Sequence, residues 1–149
     1  MSEIIIQRFC IEKLEECVDL YMKTYSREPW NESWKSRDVV SNFMQNHYKN
    51  NYFIGFVALK SNKVIGVSLG FEKPWIKGME YYIDEFFIDV DLHRQGIGTT
   101  FMAKIKEELL KRDIHAIMLN TEKGYPSQSF YEKIGFHAEN NMIILDITF

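Results

Sequence analysis

Apolar positions along the chain follow two rhythms. Ile4 to Phe9 is short and β-branched and predicts a first strand. Glu12 to Tyr25 sets Leu14, Cys17, Val18, Tyr21 and Met22 near one helical face, and Pro29 closes that region. From Ser36 or Arg37 to Lys49, Val39, Val40, Phe43 and Met44 form the stripe of a second helix. Tyr52 to Leu59 and Lys63 to Phe71 read as two strands of a hairpin turning at Ser61 and Asn62. Pro74, Trp75 and Gly78 predict a loop, and Met79 to Val90 is a long, aromatic, β-branched central strand. Gly96 to Lys111 is the clearest helix, with Ile97, Phe101, Met102, Ile105, Leu109 and Leu110 on one side. Ala116 to Asn120 predicts a buried strand, and Ser127 to Ile134 a short helix capped by Gly135. Phe136 to Ala138 and Met142 to Thr148 are expected as closing strands.

The resulting order is β, α, α, β, β, β, α, β, α, β, β. A strand, a helix at Gly96 and a further strand imply local parallel pairing, whereas the hairpin implies antiparallel pairing elsewhere. The pattern predicts an α/β fold: one mixed, mainly antiparallel sheet of six or seven strands, with helices on both faces. The 149 residues are the size of one domain, taken as 1–149, and no linker or repeat divides them.

Composition narrows the chemistry. The net charge of −3 argues against a bulk-electrostatic grip on nucleic acid. Cys10 and Cys17 have no CxxC spacing, so neither a disulfide scaffold nor a zinc site is expected, and free thiols suit a cytoplasmic location. His47, His93, His115 and His137 show no metal spacing, and no metal is expected. The start, MSEIIIQRF, reads as neither a signal peptide nor a membrane span.

The segment His93-Arg94-Gln95-Gly96-Ile97-Gly98 lies between the strongest strand and the strongest helix. Glycine permits close backbone approach and unusual dihedrals. The first N–H groups of a helix lack internal partners and face an anion favourably. No Walker pattern is present, and Phe101 stands where a dinucleotide fingerprint needs its third glycine. From the turn alone, a ligand site and a plain connection are equally open.

Read with its flanks, the stretch from Tyr82 to Phe136 resembles the GNAT superfamily of acetyl-CoA-dependent N-acetyltransferases. The family pattern Q/R-x-x-G-x-G/A is matched at Gly96 and Gly98, with His93 at its first position, and a later F-Y-x-x-x-G-F by Phe130, Tyr131, Gly135 and Phe136. Two departures stand out: His93 replaces Gln or Arg, and Gly124 stands where the family often has Asn. The resemblance implies an acyl-CoA N-acyltransferase-like fold whose splayed central strands form a slot for acetyl-CoA. Backbone groups of Phe87, Ile88 and Val90 would pair with the pantetheine arm. The stretch His93, Arg94, Gln95, Gly96, Ile97, Gly98 and Thr99 would hold the pyrophosphate; Asn120 or Ser127, in place of the missing Asn, would hold the pantetheine or the leaving thiol, and Phe130 would also line the cofactor site. Tyr131 would protonate the departing thiolate, and Glu85 would act as general base, directly or through water.

Acetyl transfer needs a neutral amine, and a carboxylate at the slot can remove its proton. Asp84 and Glu85 adjoin on a strand, so their side chains are expected on opposite faces. Phe86 and Phe87 are expected to raise the pKa of a buried neighbour. The rival readings are a structural carboxylate at Glu85 and a core aromatic at Tyr131. The stretch from Tyr21 to Trp34 carries Glu28, Trp30 and Trp34 beside Pro29; with Trp75 these residues can frame a cationic amine, or the tryptophans can simply cover the core. The expected activity is acetylation of a small amine such as a polyamine, an aminoglycoside-like amino sugar or an amino-acid derivative. A peptide or protein N-acetyltransferase and a non-catalytic acyl-CoA module are the alternatives. No membrane partner is expected, and the apolar final strand fits a monomer or a homodimer.

Overall fold

The computed structural model describes residues 3–149. The elements are β1 (Ile5–Arg8), α1 (Leu14–Tyr25), α2 (Arg37–Tyr48), β2 (Phe53–Lys60), β3 (Lys63–Trp75), β4 (Gly78–Ile88), α3 (Ile97–Leu110), β5 (Ile117–Leu119) and α4 (Pro126–Lys133). The sheet runs in chain order; β1 to β4 pair antiparallel and β5 lies parallel to β4. Ser61 and Asn62 both adopt positive φ, as a tight hairpin between β2 and β3 demands.

Each face of the sheet carries its own core. On one, α1 and α2 press Cys17, Val18, Tyr21, Val40 and Met44 onto Val57, Val67, Leu69 and Phe87. On the other, Ile97, Phe101, Met102, Ile105 and Leu109 of α3 and Tyr131 of α4 cover Ile54, Phe56, Tyr81, Ile83 and Ile88. Residues of β2 and β3 are buried on both sides, which is why their sequence is a continuous apolar run rather than an alternation.

Three expectations change. The sheet has five strands among the described residues, not six or seven. Phe136–Ala138 and Met142–Thr148 form no ladder: residues 137–149 are exposed and belong to no helix or strand, because period-two apolarity specifies a strand only where an edge receives it. Trp75 belongs to β3 rather than to a loop, since β3 and β4 stay paired out to Trp75 and Gly78.

The β3–β4 ladder holds one irregularity. Leu69 faces Glu85 but Gly70 faces Ile83, so Asp84 is an inserted residue, a β-bulge. Gly70 is required there: a Cβ would lie 2.0 Å from the Tyr82 carbonyl oxygen and 2.8 Å from the Tyr81 ring. Gly70→Ala is therefore expected to destabilise the protein by about 3 kcal/mol through overpacking against backbone. Urea unfolding measures this as a lower midpoint, and an unchanged midpoint would refute the close approach.

Candidate active site

The bulge opens the site. β5 pairs with β4 only at Tyr81, Tyr82 and Ile83, so from Asp84 to Ile88 the outer edge of β4 has no strand beside it. The Asp89 N–H bonds the Ile65 carbonyl at 2.8 Å. By antiparallel alternation, Phe87 then bonds toward β3, while Phe86 and Ile88 turn their backbone groups into the gap. This corrects the expectation for Phe87, whose ring is buried under α1 and whose backbone serves the ladder. Ile88 keeps its place at the gap, and its carbonyl already accepts from His93 Nε2 at 3.0 Å. The unusual His93 thus closes the loop back onto β4.

Past Ile88 the chain makes a short 3₁₀ turn, Val90–Leu92, and Val90 leaves the strand. Asp89, nearly fully buried, accepts the Asp91 N–H at 3.1 Å. Lys23 of α1 reaches both carboxylates at 2.7 Å, and Arg27 adds a contact to Asp91. Lys23 and Arg27 hold the Asp91 carboxyl below its usual range. Arg94 and Gly96 then take positive φ, of 66° and 76°, and α3 starts. Its first helical bond is Thr100 N–H to the Gly96 carbonyl, so the amides of Ile97, Gly98 and Thr99 precede the helical ladder. Nothing lies within 4 Å of a Cβ built on Gly96. Gly98 answers to packing instead: a Cβ there would meet Phe130 at 2.9 Å, so α4 packs directly on its backbone. Gln95 and Thr99 are exposed, and the Ile97 side chain is core. The turn has the donors and the open front that a pyrophosphate needs.

The bulge also brings two carboxylates to the same side. Glu85 accepts the Tyr25 hydroxyl of α1 at 3.2 Å. Asp84 lies with its Oδ2 2.9 Å from His47 Nε2 of α2, off the line of a good hydrogen bond. Both therefore face the α1–α2 layer rather than opposite layers, because the inserted residue breaks the period of two. Burial first, and the Asp84 charge second, push Glu85 up to about 8 against the opposing Tyr25 bond. His47 holds Asp84 below the usual range. Tyr131 approaches from α4, buried, and burial followed by the Glu85 charge raises its pKa. Burial raises Tyr25 likewise, with Glu85 and Tyr131 adding to it. Tyr25 thus touches Glu85 from the α1 layer, and Tyr131, packed on Phe86 in the other layer, lies within electrostatic reach of both.

The remaining candidates separate. Asn120 Nδ2 donates to the Tyr82 hydroxyl at 2.7 Å, and Ser127 pairs with Thr121 at 2.7 Å, so both brace the β5–α4 connection. Phe130 stacks on Phe86 with ring centres 6.0 Å apart and supports Tyr131. Trp30 packs edge-on against Tyr25 at 5.4 Å and Tyr125 at 4.9 Å. Tyr125, which the sequence pattern did not single out, meets it from the start of α4; its position before Pro126 was the available signal. Trp34 rests on Tyr21 as part of the core, and Glu28 is exposed on the loop. Trp75 does not join them: it pairs with Gly78 at the hairpin tip, seven residues along β4 from Glu85, roughly 20 Å away. Among the described residues no His, Cys, Asp or Glu group is arranged to hold a metal, and no helix is long and apolar enough to cross a membrane.

Comparison with known proteins agrees with this architecture. No curated protein matches the sequence significantly. Among solved structures, the aminoglycoside acetyltransferase meta-AAC0020 from an uncultured soil metagenomic sample, in complex with sisomicin, superposes with a TM-score of 0.76 at 20% identity, covering 98% of this chain and 96% of its own. The aminoglycoside N-acetyltransferase AAC(6')-Iy in complex with CoA gives 0.76 at 14%, covering 99% and 96%. An integron cassette protein from the mobile metagenome of V. cholerae gives 0.81 at 16%, covering 99% and 93%. At these identities the likeness is one of fold. The sequence model of the acetyltransferase (GNAT) family matches residues 14–136, from the first turn of α1 to the Phe136 that ends the second motif, and the chain belongs to that family.

Proposed function

We propose that the protein transfers the acetyl group of acetyl-CoA to the primary amine of a small cationic acceptor, by direct attack in a ternary complex. The observation that carries this is Glu85, half-buried at the end of the slot, hydrogen-bonded by Tyr25 and within electrostatic reach of Tyr131. Acetyl-CoA supplies an activated thioester. The amides from Arg94 to Thr99 bind its pyrophosphate, and the backbone edge at Phe86 and Ile88 receives the pantetheine arm. The Ile88 N–H, turned into the gap, hydrogen-bonds the acyl oxygen. Glu85 takes the proton of the attacking amine as the N–C bond forms, and Tyr131 gives its proton to sulfur as the C–S bond breaks. A base that titrates near 8 is suited to that step. Cys17 is buried, with its thiol pushed up to about 12 by that burial, which favours direct transfer over an acetyl-cysteine route.

Charge and aromatic surface support the acceptor class. Asp84 and Glu85 stand at the slot, and burial raises Glu32 on the adjoining loop. Trp30 and Tyr125 form an aromatic pair beside them, a setting for a cation. Two structurally similar proteins act on aminoglycosides by name, which is consistent with a polyamine, amino sugar or amino-acid derivative here.

Thermal shift should show stabilisation by acetyl-CoA and CoA but not by NAD or ATP; the reverse pattern would remove the donor assignment. Thiol release with a panel of amines should then favour small polycations, and turnover on peptides alone would replace the acceptor class. Gly96→Glu should weaken acetyl-CoA binding at least a hundredfold with an unchanged circular dichroism spectrum, and retained affinity would refute the cradle. Tyr131→Phe should lower kcat at least tenfold with the KM for acetyl-CoA within about twofold.

Glu85 makes a pH prediction of defined sign. Its pKa rises from 4.5 to about 8 on folding, so the fold favours the neutral acid. That stabilisation is complete below 4.5 and is lost as pH rises through 8. Glu85→Gln should therefore flatten the fall in melting temperature between pH 5 and pH 9. It should also abolish the inflection near 8 in kcat/KM. A parallel Tm profile in both proteins would place Glu85 in water.

A further inference from the structure

α2 reaches the bulge through one side chain, His47. Val40 and Met44 of that helix are buried in the core, while Phe43 and His47, four residues apart, lie side by side on the adjoining face. The Phe43 ring meets the imidazole edge-on at 4.6 Å and is itself packed on Tyr21 at 5.9 Å, which holds the imidazole in place. His47 Nε2 is sealed from water and has no well-aligned hydrogen-bond partner among the described residues; the group it touches is Asp84, with Oδ2 at 2.9 Å. The Asp84 side chain is 41% exposed, so the imidazole covers one side of the carboxylate and water the other.

The ionisable groups that face Glu85 are Tyr21 and Tyr25 of α1, Glu32 of the loop behind it, Tyr131 of α4, and Asp84 beside it on β4. None of them can carry a positive charge. His47 supplies a positive N–H to this cluster, and it does so through Asp84. Burial and the Asp84 charge push Glu85 up to about 8. A further rise would leave the base protonated where it must accept a proton, and loss of the Asp84 charge would make it a weaker base. An imidazole N–H on Asp84 offsets part of that charge and keeps the carboxylate on one side of the bulge, which places Glu85 between the two extremes.

We propose that His47 is a positioning residue for the general base: held by Phe43 against Asp84, it orients that carboxylate and offsets its charge, and so sets the pH at which Glu85 exchanges its proton. The inference rests on the role of Glu85 in acetyl transfer proposed above. His47 acts through Asp84 and not on the reacting atoms. It belongs to the α1–α2 layer, across the sheet from α3, so its loss leaves the pyrophosphate turn and acetyl-CoA binding intact.

The test follows Glu85 directly, in full-length protein labelled with ¹³C at the glutamate Cδ, the Glu85 resonance being assigned by its loss in Glu85→Gln. Its titration midpoint should rise by about half a pH unit in His47→Phe and fall by about as much in Asp84→Asn. The double variant should match Asp84→Asn alone, because His47 acts only through Asp84. The limb of kcat/KM that follows Glu85, measured with acetyl-CoA and the fastest amine of the panel, should move with the midpoint, and the KM for acetyl-CoA should stay within about twofold. Where His47→Phe does not fold, His47→Gln, which keeps a donor without the charge, takes its place with the same expected direction. An unchanged Glu85 midpoint in the folded variant, a shift in the same direction as in Asp84→Asn, or shifts that add in the double variant would each overturn the proposal and leave acetyl transfer standing. A midpoint that moves while the kcat/KM limb stays fixed would overturn Glu85 as the base, and the role of His47 with it.

Discussion

The bulge at Asp84, opposite the Leu69–Gly70 step of β3, is the constraint from which the geometry of the site follows. One added residue turns β4 away from β5, so the outer backbone edge beyond Ile83 has no strand to pair with. It resets the side-chain alternation, so that Asp84 and Glu85 both face the α1–α2 layer. It also requires Gly70, because the kinked strand brings the Tyr82 carbonyl against β3. A slot, a pair of carboxylates and a glycine thus share one cause.

Within that frame, electrostatics divide the labour. Two adjacent carboxylates on one side cannot both keep ordinary values. His47 stabilises the charge on Asp84, and burial together with that charge holds Glu85 neutral to a higher pH. The two layers contribute different parts: α1 brings Tyr25 and α4 brings Tyr131. The aromatic contact of Trp30 with Tyr125 joins the loop after α1 to the start of α4.

The helices and the first four strands were legible because their apolar periods are long and their turns carry glycine, proline or Asn. The turn before α3 was legible as a helix start because Gly96 and Gly98 stand between a strong strand and a strong helix, and the order of Phe130 and Tyr131 after it matched the family. The facing of Asp84 and Glu85 was not. Local sequence carries no mark of an inserted residue, which shows only in the pairing with Leu69 and Gly70. Phe87 was misassigned for a related reason: which backbone groups point outward depends on ladder phase, fixed here by Asp89 on Ile65. Trp75 was misplaced because Pro74 suggests a break, whereas the last positions of a hairpin tolerate it. The final segment reads as a strand by its alternation, yet pairing is a property of neighbours and not of one segment.

The Lys23 bridge to Asp89 and Asp91 has a consequence for the anion-receiving turn. That turn carries two acidic side chains within a few residues of the amides that would meet a pyrophosphate. Left alone, they would cancel the positive field of the α3 terminus. Lys23 of α1 and Arg27, two residues past its end, act as resident counter-ions rather than ones drawn from solution. The potential in front of Gly96 is thereby set by a helix in the opposite layer. A cation lost from that side would leave two acids uncompensated in front of the start of α3.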